Sequence, residues 1–303
     1  MSDAALQRCA GLSCWTGPVD PEPLPGGLSN YNFLVHDNDQ VYAVRIGDDA
    51  PEHAVYRFNE ITVAQAAEAA GLSPPIVHHE PGALVMDYIE GGRPLDKSDI
   101  GRDDMLPRIV DLVRDCHLEM PRHLEVPGPM FWVFQVNRRY ARILVNARSR
   151  MADRLRAWLE LNDDWEETIG AIRPVFAHND LLAANIVDDG HRLWLIDWEY
   201  GGWNTPLFDL ANLASNNELP LARDAWLLQA YFETPADADR MHAFRAMKCA
   251  SLLRELLWSL VTEIYSTLSI DFAAYSDELA GRLDAAIDDY RTGVGKTLSR
   301  TGR

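Results

Sequence analysis

Cysteine, positive charge and long apolar runs are the scarce features of this sequence. Only four cysteines occur, Cys9, Cys14, Cys116 and Cys249, with no CxxC pair and no histidine nearby at metal-ligand spacing. A zinc cluster and a disulfide framework are thereby set aside, and the thiols are read as reduced and inert. Lys and Arg number 28 against 46 Asp and Glu, a formal net charge of -18. No nucleic-acid partner is expected of such a chain, because neutralising phosphates takes clustered basic side chains. An acidic surface suits a cationic small molecule instead. No apolar run is long enough to span a bilayer, so membrane insertion is not expected. Residues 1–12 lack a basic stretch followed by an apolar core, and the expected location is the cytoplasm. Oligomeric state is left open, a homodimer included.

What is present is ample material for a core, since 47% of the 303 residues are hydrophobic. That length exceeds what one core fills, so two lobes with a cleft between them are expected. The first third alternates short β-rich segments at 32–35, 41–46, 76–80 and 83–88, interrupted by one helix over about 53–70. Gly91-Gly92 then suits a connector between lobes. Beyond it the pattern is mostly helical, with helices expected at about 98–120, 133–161, 206–217, 220–232, 235–267 and 276–293. Thr234 is the expected N-cap of the long one, with Pro235 at its first position. The fold class is thus α+β and bilobal, with a small β-rich lobe over 1–90 and a larger helical lobe over 91–303.

One island breaks the helical stretch, reading VFAHNDLLAANIV at 175–187 and LWLIDWEYGG at 193–202. Each part answers a need of phosphoryl transfer. That reaction wants one carboxylate to accept or orient the hydroxyl proton, and oxygen ligands that hold Mg²⁺ against the nucleotide phosphates. Asp180 fits the first role; Asn185 and Asp197 fit the second. Asp and Asn also end strands and cap turns for purely structural reasons, and for Asp197 alone the two explanations weigh equally. The set of three, at this spacing, is what carries the chemistry.

The pattern H-x-D-x-x-x-x-N followed by an apolar strand ending in Asp resembles the catalytic and metal loops of the protein-kinase-like superfamily. The run IDWEYGGWNTPLFDLAN at 196–212 is similar to the stretch after the metal-binding Asp in choline and ethanolamine kinases, relatives of the aminoglycoside phosphotransferases. The resemblance implies a bilobal kinase fold that uses ATP and Mg²⁺ and phosphorylates a small amino alcohol. It implies that Glu199 and Tyr200 line the acceptor region, that Asp209 holds the catalytic loop by hydrogen bonds, and that His178 supports that loop without reacting. A GxGxxG loop and an APE-like segment are both missing, which weighs against a protein kinase.

On the nucleotide side, LPGGLSN at 24–30 stands between β-rich segments, and glycines let backbone N–H groups approach phosphate oxygens. Gly26, Gly27, Ser29 and Asn30 are the candidates there, although a Gly-Gly pair also makes an ordinary hairpin turn. By resemblance Arg45 takes the place of the cation that binds the α and β phosphates. Glu60 is its natural ion-pair partner. Met86 and Tyr88, at the end of the last β segment, are expected to wall the adenine.

For the acceptor, an ammonium is held by aromatic faces and carboxylates, and the candidates are Tyr200, Trp203, Glu218, Glu255 and Trp258. Glu255 and Trp258 lie three apart in LLRELLWSLVTEIYS and share a helix face. Two departures stand out. Choline kinases carry a glutamate shortly after the FD-x-x-N run, where this chain has Asn216 with Glu218 two residues on, and of their late aromatic pair only Trp258 remains. A kinase of the same fold acting on a sugar, an aminoglycoside or another metabolite is therefore the alternative. A nucleotide-binding pseudokinase is disfavoured because Asp180, Asn185 and Asp197 are all present.

Overall fold

The computed structural model describes residues 3–24, 30–266 and 270–301. Gly26, Gly27 and Ser29 of the expected phosphate turn lie outside the described residues. The chain opens with α1 (Asp3–Ala10), a helix that the sequence pattern did not predict, and continues through β1 (Glu22–Pro23), β2 (Tyr31–Asp37), β3 (Gln40–Ile46), α2 (Arg57–Ala69), β4 (Ile76–Glu80) and β5 (Ala83–Asp87). These strands form one antiparallel sheet in the order β1-β2-β3-β5-β4. β2 and β3 are joined by a two-residue turn whose Asn38 is left-handed at φ 54, a conformation asparagine tolerates better than most residues.

Strand alternation sorts the sheet into two faces. Phe33, Val35, Val44, Ile46 and Val85 pack with Ala5 and Cys9 of α1 in a small core. Arg45, between Val44 and Ile46 and opposite Leu84 in register, belongs to the other face, toward α2. The period of two thus explains why a lone arginine in an apolar strand arrives beside a helix.

After β5 the chain passes Gly91, left-handed at φ 68, and pairs β6 (Arg93–Pro94) with a strand of the larger lobe. We place the boundary between the lobes in this short segment. The elements that follow are α3 (Lys97–Ile100), α4 (Met105–His123), α5 (Val133–Asn146), α6 (Ala152–Ile169), β7 (Val175–Ala177), β8 (Ile186–Asp188), β9 (Leu193–Leu195), β10 (Gly202–Asn204), α7 (Pro206–Asn216), α8 (Asp224–Phe232), α9 (Ala238–Tyr265) and α10 (Phe272–Thr301). β6, β8 and β9 form one small sheet, β7 and β10 another. The fold is α+β and bilobal. Helix α9 packs against α5, α6, α7 and α10 and is buried almost all round from Phe244 to Thr262, as a central core helix must be. Among the described residues no helix is long and apolar enough to cross a membrane.

Several helix boundaries differ from those expected: the helix over 98–120 divides into α3 and α4, the last helix starts at Phe272, and two further differences have a clear local cause. The single helix over 133–161 is broken into α5 and α6, because Arg148 turns left-handed at φ 56 and Ser149 N–H reaches back to Leu144 O at 2.9 Å. Such a C-terminal wrap satisfies carbonyls that a continuing helix would have used. The cap of α9 is Asp237, not Thr234: its side chain accepts from Arg240 N–H at 2.8 Å, so the helix starts one turn later.

Candidate active site

The catalytic loop runs from the end of β7 to the start of β8. Asn179 takes the left-handed conformation at φ 67, and its side chain makes that turn rigid. Its amide nitrogen donates to Ala177 O, Tyr200 O and Gly202 O, and its oxygen accepts from Asn204 Nδ2 at 2.8 Å. Asp180 follows, and a short 3-10 turn over Ala183–Asn185 brings Asn185 back beneath it. Asn185 Nδ2 donates to Asp180 O at 3.0 Å and lies 3.4 Å from Asp180 Oδ2. Ile196 N–H donates to Asn185 O at 3.0 Å, so the strand that leads to Asp197 is tied to the loop by its backbone. His178 is fully buried and stands between Ile196 O at 3.0 Å and Asp180 N–H at 3.3 Å, one ring nitrogen donating and the other accepting. Burial holds its pKa below the ordinary value, which keeps the neutral form those two bonds require.

Helix α7 clamps the loop from below. Asp209 accepts from His178 N–H at 2.9 Å and Asn179 N–H at 2.8 Å, and His117 Nε2 lies 3.0 Å from its Oδ2. Burial alone would push its pKa up, but the bonds from His117 and from the His178 backbone amide outweigh that and hold it low. Asn212 Oδ1 accepts from Leu181 N–H at 2.6 Å, and Asn217 Oδ1 from Ala183 N–H at 2.8 Å. Four backbone N–H groups of the loop, those of His178, Asn179, Leu181 and Ala183, thus find side-chain partners where no sheet ladder exists.

Asp197 ends the run after β9 in a left-handed conformation, φ 67, which is unusual for any residue with a side chain. Its Oδ1 is buried with no hydrogen-bond partner. Burial pushes its pKa well above the ordinary value, and the charges of Glu199, Glu60 and Asp180 add to that against the opposing pull of Arg45. Asp180 is pushed up to about 7, first by burial, with Arg254 pulling it down and Glu255 and Glu199 pushing it up. Two carboxylates held this way are an environment in want of a cation.

Charged side chains from both lobes meet on the side expected to take the nucleotide. Arg45 Nε lies 2.7 Å from Glu60 Oε1, a close ion pair not aligned as a hydrogen bond, and Arg45 Nη2 has no hydrogen-bond partner. Arg57, one turn before Glu60 on α2, was not singled out in the sequence because an arginine opening a helix reads as a solvated side chain. It is buried, donates to Glu60 Oε2 at 2.7 Å, to Glu199 Oε2 at 3.2 Å and to Asn30 Oδ1 at 2.6 Å. Asn30 Nδ2 in turn donates to Glu199 Oε2 at 3.1 Å. Glu199 therefore binds the nucleotide-side network as well as standing beside Tyr200. Close packing fixes the approach of α2 to this loop: a Cβ on Gly201 would lie 2.5 Å from Val63 Cγ1. Met86 pairs with Ala43 in the sheet, and Tyr88 N–H donates to Val41 O at 3.0 Å, at the exit of β5.

Of the acceptor candidates, the structure brings Tyr200, Glu255 and Trp258 together. Trp258 Nε1 donates to Tyr200 Oη at 3.1 Å, and its ring meets His53 at 5.4 Å and Phe272 at 6.3 Å. Glu255 Oε1 accepts from Tyr275 Oη at 3.1 Å. Trp203 instead packs edge-on to Phe176 at 5.5 Å on β10. Glu218 is displaced from the cluster because the chain turns left-handed there, φ 56, after α7; its half-exposed carboxylate pairs with Lys97 and Arg282. Asn216 is buried with neither side-chain polar atom hydrogen-bonded. The sequence pattern missed Arg254. It is 2% exposed, its Nη1 donates to Glu255 Oε2 at 2.8 Å and to Asp180 Oδ1 at 3.3 Å, and its Cζ lies 4.4 Å from the Tyr200 ring centroid.

Residues 20–244 match the model of the phosphotransferase enzyme family. The chain is 28% identical over 272 residues to protein LicA of Haemophilus influenzae, covering 86% of this chain and 77% of that one. It is 25% identical over 273 residues to ethanolamine kinase 2 of Mus musculus, covering 80% and 69%. A choline/ethanolamine kinase family protein of Mesorhizobium loti superposes with a TM-score of 0.77 at 25% identity, covering 97% of each chain.

Proposed function

Because the chain belongs to the phosphotransferase enzyme family, we propose that it moves the terminal phosphoryl group of ATP to the hydroxyl of an amino alcohol, choline and ethanolamine first. Relatives named ethanolamine kinase support the acceptor class. The observation that carries the proposal is the pair formed by buried Asp180 and Asp197 with its buried Oδ1, joined through Asn185, whose side chain meets Asp180 and whose backbone oxygen accepts from Ile196 N–H, with Asp197 also under the charges of Arg45 and Glu60 of the small lobe.

Asp180 is the residue that receives or orients the hydroxyl proton. With a pKa raised to about 7 it is poised near neutrality, where a general base both holds enough carboxylate and retains proton affinity. Arg45, oriented by Glu60, has spare N–H groups for nucleotide phosphates. Asn30 borders the same network, and Met86 and Tyr88 offer the wall for adenine. Glu255 and the Tyr200–Trp258 pair, grouped with Arg254 beside Asp180, are the side chains assigned to the acceptor side.

The residues fit Mg²⁺. Asp197 has a buried, unpartnered oxygen in a negative setting, and Asn185, whose amide nitrogen is engaged with Asp180, leaves its oxygen for a metal. Both are the hard oxygen donors this ion takes. Among the described residues no cluster of three or more His, Cys, Asp or Glu forms a metal cage, and Mg²⁺ is typically held by one or two carboxylates together with substrate phosphates. When bound, it supplies charge neutralisation at the β and γ phosphates.

The test is ADP release over a panel of choline, ethanolamine, its methylated forms, sugars and aminoglycosides. Turnover on an amino alcohol is the expected result. Turnover confined to sugars or aminoglycosides would assign the chain to the other branch of the fold.

A further inference from the structure

An aromatic cage for an ammonium needs an open ring face, and in this molecule the face of Tyr200 is covered by the protein's own cation. Arg254 Cζ lies 4.4 Å from that ring and 5.7 Å from Phe131. Trp258 offers little in exchange, since its N–H is spent on Tyr200 and its ring is packed against His53 and Phe272. Arg254 also touches Asp180 Oδ1 at 3.3 Å, so the guanidinium borders the atom to which the acceptor hydroxyl must be presented. Its Nε and Nη2 are buried without hydrogen-bond partners.

We propose that Arg254 is a specificity-determining residue that excludes quaternary ammonium acceptors and selects amines bearing N–H groups. The proposal rests on the amino-alcohol reading of the site. A trimethylated nitrogen has no hydrogen to donate and is recognised through aromatic faces and bulk charge. Here the face is taken and a like charge sits beside it. A primary ammonium donates three hydrogen bonds and needs carboxylate oxygens, not rings. Around Arg254 the carboxylates of Asp180 and Glu255 outnumber the single guanidinium, so a compact cation with N–H groups is still drawn in. The spare N–H groups of Arg254 can be met by the oxygen of the acceptor, which choline and ethanolamine share. The discrimination therefore lies at the nitrogen.

The experiment is the efficiency, kcat/KM, of the full chain on ethanolamine and its mono-, di- and trimethylated forms. It should fall by at least about 30-fold from ethanolamine to choline, the worth of a desolvated cation–π contact, with the steepest step at the methylation that removes the last N–H. Arg254→Leu should raise the choline-to-ethanolamine ratio by about tenfold or more; Arg254→Gln should shift it the same way, and serves if the leucine variant does not fold. A role confined to orienting Asp180 would slow all four acceptors alike and leave the ratio fixed, and a fixed ratio overturns the proposal. So does wild-type efficiency on choline equal to that on ethanolamine, which leaves the amino-alcohol reading intact. Turnover on none of the four overturns both.

Discussion

Beneath the catalytic loop the polar side chains are matched, Asp209 with two loop amides and His117, Asn212 and Asn217 with further backbone groups. On the side that faces nucleotide and acceptor, Asp197, Arg45 and Arg254 each keep a buried polar atom without a hydrogen-bond partner. Both regions are buried and charged. They differ in that one has its counterparts within the chain and the other awaits them from its substrates. Unpartnered polar groups cost stability wherever they are buried; others occur, at Asn137 and at Asn216 of α7 among them, but the three charged side chains gathered on this side are what mark a working surface.

Removing a partner in the clamp should produce the largest loss of stability. Asp209→Ala leaves two loop amides and His117 unanswered and is expected to cost about 3–5 kcal/mol, read from the denaturant midpoint. A midpoint unchanged in that variant would dissolve the contrast between the regions. Asp180→Asn should leave the midpoint unchanged or higher, since it removes a carboxylate that burial disfavours, while lowering turnover at least about 100-fold, as measured by coupled ADP release. Near-normal turnover would remove Asp180 from the chemistry.

Smaller, and opposite in sign for stability, is the expected effect of Asp197→Asn. Relieving a crowded carboxylate whose Oδ1 is buried should stabilise the ligand-free protein by about 1 kcal/mol while weakening Mg-dependent ATP binding, both accessible by thermal shift with and without Mg-ATP. A variant that is destabilised and still binds Mg-ATP normally would place Asp197 with the clamp. The last effect is in pH. Asp180 is protonated below about 7 in the folded protein, and its carboxylate is the working form, so kcat/KM should rise as pH rises through about 7. The linked stability runs the other way: a folded-state pKa above that of the unfolded chain means ligand-free stability falls between about pH 4 and 7. A pH-independent kcat/KM over that range would contradict the assignment.

Much of this was legible before the structure. Alternating apolar residues marked β2 to β5, and the spacing of Asp180, Asn185 and Asp197 marked the loop, because local periodicity and chemical type are written in adjacent residues. Arg57 and Arg254 were not legible, since an arginine on a helix reads as solvated until the opposing elements are known. Nor was Glu218's departure, which depends on one left-handed residue after α7. The breaks at Arg148 and Asp237 were missed for a related reason: both are single backbone choices inside stretches whose composition remains helical. Asn179 was written in the motif, yet its four-way bonding to Ala177, Tyr200, Gly202 and Asn204 depends on β10 returning beside β7.

Arg57 ties Glu60 of the small lobe to Glu199 of the large one, and Tyr200, the next residue, carries Arg254 on its ring. Each step of that path is a hydrogen bond, a peptide link or a ring contact, so the nucleotide and acceptor sides proposed above are physically joined. The two substrates should consequently be thermodynamically linked, each altering the other's affinity. The factor by which bound nucleotide changes the acceptor's dissociation constant must then equal the factor by which acceptor changes the nucleotide's, whichever is added first.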